Sequence, residues 1–98
     1  MFMNEDHDKM VEEIANTLRR HGYIVDTFFE YHCGNISGEM DIYARSNGTH
    51  QYHEIKCKNT PELYEKARLQ FQRVKKAYPT LHWEFFYHTP NQAMMVTL

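Results

Sequence analysis

The chain has 98 residues, 42% hydrophobic and 14% aromatic, and a net charge of −2. That length allows one domain around one core, and the aromatic content argues against disorder. No apolar run is long enough to cross a membrane, and the near-neutral charge does not mark the whole chain as a nucleic-acid binder.

Met10, Val11, Ile14 and Leu18 recur at helical spacing and predict a helix over 7–21. Gly22 closes it, with Arg19, Arg20 and His21 suited to the negative end of its dipole. Residues 23–31 are rich in aromatic and β-branched side chains and read as a strand. Residues 32–38, with two glycines, Asn35 and Ser37, read as a loop. Two strands, 40–46 and 49–57, meet at Asn47-Gly48, a strong hairpin signal. Thr60-Pro61-Glu62 opens a second helix with an N-cap, a first-turn proline and an acid. Leu63, Ala67, Phe71, Val74 and Tyr78 form its apolar stripe, and Pro79 ends it. A strand over 81–88, a turn over 89–92 and a short strand over 93–98 complete the chain. The order αβββαβ, with a last strand appended, predicts an α/β fold: a mixed sheet flanked by helices, in one domain over 1–98.

Charge is distributed unevenly. Glu5, Asp6, Asp8, Glu12 and Glu13 fall in the first helix region, whereas Lys56, Lys58, Lys66, Arg68, Arg73, Lys75 and Lys76 gather later. Cys33 and Cys57 are far apart and form no CxxC, which points to a reduced, cytoplasmic setting. The acidic N-terminus has no signal-peptide pattern. Seven histidines show no zinc-ligand spacing.

The chemistry concentrates in Gly38-Glu39-Met40-Asp41-Ile42-Tyr43-Ala44 and, beyond the turn, His53-Glu54-Ile55-Lys56-Cys57-Lys58. Residues two apart on a strand share a face, so Glu54 and Lys56 project together, and the hairpin brings Asp41 beside them. Two carboxylates and a lysine at one place are the minimum set for metal-assisted hydrolysis of a phosphodiester. The carboxylates bind a hard divalent cation through oxygen, and the cation activates water and neutralises developing charge. The lysine positions or deprotonates that water.

Asp41 followed by Glu54-x-Lys56 resembles the PD-(D/E)xK nuclease superfamily signature. The fuller wording, Gly-Glu-x-Asp-Ile-x-Ala before a hairpin ending in x-Glu-x-Lys-x-Lys, is similar to archaeal-type and phage Holliday-junction resolvases. Met40 stands where the superfamily often has proline. The resemblance implies a restriction-endonuclease-like core and Mg2+ (or Mn2+) held by Asp41, Glu54 and the carbonyl of Ile55, with Lys56 beside the attacking water. It also implies a homodimer that cuts branched DNA. The superfamily commonly adds an acid from the first helix. Counting back from Gly22, that place falls on Val11, flanked by Glu12 and Glu13, and Glu13 is the choice. Glu39, two residues before Asp41, is a candidate for an outer role. Gln70, with Gln72 as its rival, lies where related nucleases carry a glutamine near the scissile phosphate. Ser37 and Asn35 suit phosphate contact, and Lys58 and Arg73 belong to a basic rim.

The strand aromatics, among them Phe28, Tyr52, Trp83 and Phe85, read as core or dimer interface more readily than as base-stacking groups. Two other readings share the fold: a restriction, defence or repair nuclease acting on duplex or flap DNA, and a catalytically silent nucleic-acid- or protein-binding module.

Overall fold

A computed structural model describes residues 2–98, with side chains from Asp6 onward. The elements run α1 (Phe2–Arg20), β1 (Ile24–Cys33), β2 (Ile36–Ser46), β3 (Thr49–Ile55), α2 (Pro61–Ala77), β4 (His82–Thr89) and β5 (Gln92–Val96). The strands form one five-stranded sheet in sequence order. All neighbours are antiparallel except β3 and β4, which are parallel because α2 carries the chain back between them. The fold is therefore α/β, with a mixed sheet flanked by two helices, as the pattern predicts.

Several element ends shift by one or more residues from the sequence reading, and three of the shifts bear on the site. Helix α1 starts at Phe2 rather than at residue 7, because the unbroken polar run from Asn4 to Lys9 interrupts any apolar period to read. The loop expected over 32–38 shrinks to Gly34-Asn35: Cys33 pairs with Ile36, and Gly34 supplies the positive φ of a tight turn. Ser37 consequently sits in β2, opposite His32. Strand β3 ends at Ile55, so Lys56 lies just beyond it. Pairing nevertheless continues one step, through the Lys56 N–H to the His88 carbonyl at 2.9 Å.

The predicted start of α2 holds in detail. The Thr60 hydroxyl accepts the Leu63 N–H at 3.2 Å, and Pro61 occupies the first turn. Ala67, Phe71, Val74 and Ala77 point from α2 into the larger core, where Phe71 packs edge-on against Tyr52 and stacks on Phe85, each at 4.9 Å. On the other face of the sheet, Val11 and Ala15 of α1 close over Ile42, Ala44 and Ile55.

Strand alternation fails at one place. Met40, Asp41 and Ile42 are consecutively buried, yet Met40 joins the α2-side core and Ile42 the α1-side core. A regular strand would put both on one face. Opposite this slip, Thr27 pairs with Ile42 and Phe29 with Met40, while Phe28 drops out of the ladder with φ 50°. The β2–β3 ladder also stops at Ile42 and His53. Asp41 thus lies at a gap in both ladders, where its backbone is freed from regular pairing.

Candidate functional site

The site is built at this gap. Asp41 is 8% exposed and Glu54 4% exposed, so two carboxylates are buried within one small region. The Asp41 Oδ2 accepts the Ile55 N–H at 2.9 Å, which ties β2 to the end of β3. On Glu54, Oε1 accepts the Tyr52 hydroxyl at 2.8 Å and Oε2 meets Lys56 Nζ at 3.1 Å. Tyr52 and Glu54 share a face because they are two apart on β3. Lys56 curls back to the same face from just past the strand.

Burial is the largest influence on Glu54, and the Asp41 charge adds to it. Lys56 and the Tyr52 hydrogen bond pull the other way, and the net effect pushes Glu54 up to about 7. Burial first, then the Glu54 charge, drives the Tyr52 phenol well above its ordinary range, so it remains a proton donor to Glu54.

An unanticipated group completes the cluster. His7 of α1 reaches Asp41 Oδ2 through Nε2 at 3.1 Å and Asp8 Oδ1 through Nδ1 at 3.2 Å. Both ring nitrogens face carboxylate oxygens, an arrangement that only the doubly protonated ring satisfies. Burial works against that proton, but the Asp41 charge and the bonds to Asp8 and Asp41 outweigh it, and the His7 pKa is raised.

Glu13 does not reach this cluster. Successive helical residues turn by about 100°, so His7, Val11 and Ile14 share the sheet-facing side while Glu12 and Glu13 turn away. Both acids are exposed, and Glu13 lines a groove of about 470 Å³ with Met10, Ile14, His88 and Ala93. The helix contributes a histidine one turn before the expected acid. The signal was present as His7 four residues before Val11, but the predicted helix began there and left it at a fraying end.

The other candidates separate into two places. Arg73 Nη1 donates to the Ser37 carbonyl at 3.3 Å. Asn35, Gln72, Arg73 and Lys76 line a shallow pocket at the β1–β2 turn, away from the carboxylates along β2. Gln70, half-buried on α2, has its side-chain oxygen buried without a hydrogen-bond partner among the described residues, whereas Gln72 is exposed. Lys58 and Glu39 are exposed, and Lys58 lies in the bend between β3 and α2. No disulfide joins Cys33 to Cys57.

A second buried polar network lies on the opposite face of β3. His53 Nε2 donates to Gln51 Oε1 at 2.8 Å, and His53 Nδ1 lies 2.8 Å from His88 Nε2. Gln51 donates in turn to Glu84 at 3.0 Å. Burial, reinforced at His53 by its neighbour, lowers His53 to about 3 and His88 to about 4.

No family model matches the chain, and no curated protein does. Among solved structures, the chain is similar to a protein of unknown function, AF1548, with a TM-score of 0.62 and 23% identity over 84% of this chain and 47% of that one. The likeness extends to the fold, and this chain spans about half the length of its neighbour. No described helix is long and apolar enough to cross a membrane.

A divalent ion can be tested against the residues present. Asp41 and Glu54 supply hard oxygen donors, suited to Mg2+ or Mn2+ rather than to a softer ion. Burial, with the Asp41 charge added, raises Glu54 despite the Lys56 ammonium. Among the described residues, however, no three His, Cys, Asp or Glu side chains converge as a ready-made cage. The two carboxylates match the donor type such an ion prefers, and the Ile55 carbonyl is the further oxygen the resemblance implies.

Proposed function

We propose that the protein is a metal-dependent endonuclease hydrolysing DNA phosphodiester bonds, of the Holliday-junction-resolvase type, with Mg2+ or Mn2+ held by Asp41, Glu54 and the Ile55 carbonyl. The observation that carries this reading is Lys56 Nζ at 3.1 Å from a buried Glu54 whose pKa is pushed up to about 7, partly by Asp41. A buried acid with a lysine at hand and a second carboxylate beside it is an arrangement found where chemistry needs charge held in place.

When bound, the ion supplies an activated water and neutralises charge that develops on the phosphate. Asp41 and Glu54 hold it. Tyr52 and the Ile55 N–H fix the carboxylate orientations, as hydrogen-bonded outer partners do for metal ligands generally. In this reading Lys56, held at Glu54, would take or direct the water's proton. His7 anchors Asp41 from the helix. Arg73, with Ser37 and Lys76, offers a phosphate-contacting patch along the β1–β2 hairpin. Paired nicks in branched DNA require two such sites, so the active form in this reading is a homodimer.

Isothermal titration with Mn2+ tests the centre. Binding is expected in the wild type and absent in Asp41→Asn and Glu54→Gln. Unchanged binding in the double variant removes the metal site.

A second reading is favoured by a specific observation. The protonated His7 ring and Lys56 already place positive charge against both carboxylates. A nucleic-acid-binding module that needs no metal has such built-in counter-charges. It would bind DNA equally in EDTA and Mn2+ and would cut none.

A further inference from the structure

Phe28 is the most strained residue beside the site. Its φ of 50° lies in the left-handed region, which glycine and asparagine enter readily and a bulky aromatic rarely does. Among the described residues, the other non-glycine with positive φ is Asn47, in the hairpin turn, where that conformation is expected. No turn requires it at Phe28, which lies inside a ten-residue strand. Strain of this kind persists where the surrounding structure enforces it, and it clusters at functional sites.

The surroundings of the ring point to what it does. Phe28 is 37% exposed while its strand neighbours Thr27 and Phe29 are more covered. Its ring centroid lies 6.4 Å from that of His7, and His7 reaches Asp41 at 3.1 Å. The distorted backbone therefore leaves a partly exposed aromatic ring beside the histidine that bonds Asp41. A regular β conformation would keep Phe28 in the β1–β2 ladder opposite Asp41.

We propose that Phe28 is a nucleobase-stacking subsite, receiving the base next to the phosphate that a divalent ion at Asp41 and Glu54 would contact. It acts as a positioning residue. Every base has a π-face, so stacking holds the strand without reading sequence. This suits a site whose chain carries a net charge of −2 and has little general attraction for the backbone. The proposal rests on the nuclease reading for the identity of the neighbouring phosphate.

The test uses a four-way DNA junction carrying 2-aminopurine, one position at a time, around the crossover. Binding is measured with Mn2+ in the Lys56→Ala background to limit cutting. With Phe28 present, 2-aminopurine fluorescence is expected to fall on binding at a defined position. Phe28→Leu should abolish that quenching and weaken binding by about tenfold. Phe28→Gly should lose the same quenching while melting no lower than its parent, because glycine relieves the left-handed backbone.

Quenching and affinity that survive in Phe28→Leu overturn the proposal. So does a failure of the parent protein to bind or quench at all. Wild-type cleavage, measured separately, distinguishes the two readings. Quenching that depends on Phe28 in a protein that cuts nothing leaves the stacking subsite standing and removes the nuclease. Cleavage with Phe28-independent binding does the reverse.

Discussion

The two faces of strand β3 meet the same problem in opposite ways. All five residues from Gln51 to Ile55 are buried, and alternation deals them into two networks. On one face, Gln51 and His53 join His88 and Glu84, and each bond pairs a donor with an acceptor. Burial there drives both histidines toward neutrality, and neutral imidazoles suit the bonds they make. On the other face, Tyr52 and Glu54 meet Asp41, and burial, with the Asp41 charge added, leaves Glu54 raised despite Lys56. One network has settled its charges by losing them, and the other keeps charges in tension. The second arrangement is the one that suits a site, because its groups remain available to respond to a ligand.

The sharpest break in that comparison is Lys56→Ala. In the nuclease reading it lowers the cleavage rate by about 100-fold or more, as expected for losing a positioned proton-transfer group. Single-turnover cleavage of a four-way junction measures this, with gel-shift affinity as the control. Wild-type rates in the variant would make the lysine an ordinary counter-ion.

Acid titration sets the two faces against each other. His53 and His88 have folded pKa values below their ordinary 6.5. Between pH 6.5 and about 4, the unfolded chain therefore takes up protons that the folded chain refuses, and stability falls as pH falls. Glu54 opposes this, because its folded value of about 7 lies above its ordinary 4.5. It contributes most stability below 4.5 and loses that contribution as pH rises through about 7. His7, whose pKa is also raised, acts with Glu54 against the two lowered histidines, so the net loss from pH 7 to pH 4.5 is expected to stay below about 2 kcal/mol. Urea unfolding in EDTA across that range reads the slope. His53→Gln should flatten it.

Removing the tension itself gives a smaller effect. Glu54→Gln in EDTA should stabilise the fold by about 1 kcal/mol at pH 8, where the wild-type carboxylate is ionised beside Asp41. The gain should vanish near pH 5, where Glu54 is already protonated in the folded state. Thermal melts at the two pH values are sufficient. A variant destabilised at pH 8 would show that the Lys56 and Tyr52 bonds dominate over the repulsion.

The smallest effect is expected at Glu13. Its exposed side chain faces the groove by His88 rather than Asp41, so Glu13→Gln should leave cleavage within about twofold of wild type. Glu12→Gln should behave alike. A large loss in either would require α1 to turn on binding.

The sequence by itself determined the order of elements, the Asn47-Gly48 hairpin, the Thr60 cap and the alternation that places Tyr52 with Glu54. These rest on interactions between residues close in the chain, where turn chemistry and side-chain period decide the outcome. The pairing of Asp41 with the Glu54-x-Lys56 strand was also legible, because a short hairpin fixes it. Tertiary structure alone decided the rest. His7 reaches Asp41 across 34 positions because α1 packs on the sheet, and the polar run from Asn4 to Lys9 hid the extent of that helix. His53 finds His88 only through the parallel pairing of β3 with β4, which no local pattern encodes. The slip at Asp41 and the left-handed Phe28 arise where two cores on opposite faces compete for adjacent residues of β2. Alternation is a local rule, and it yields where packing on both faces demands more than a regular strand can supply.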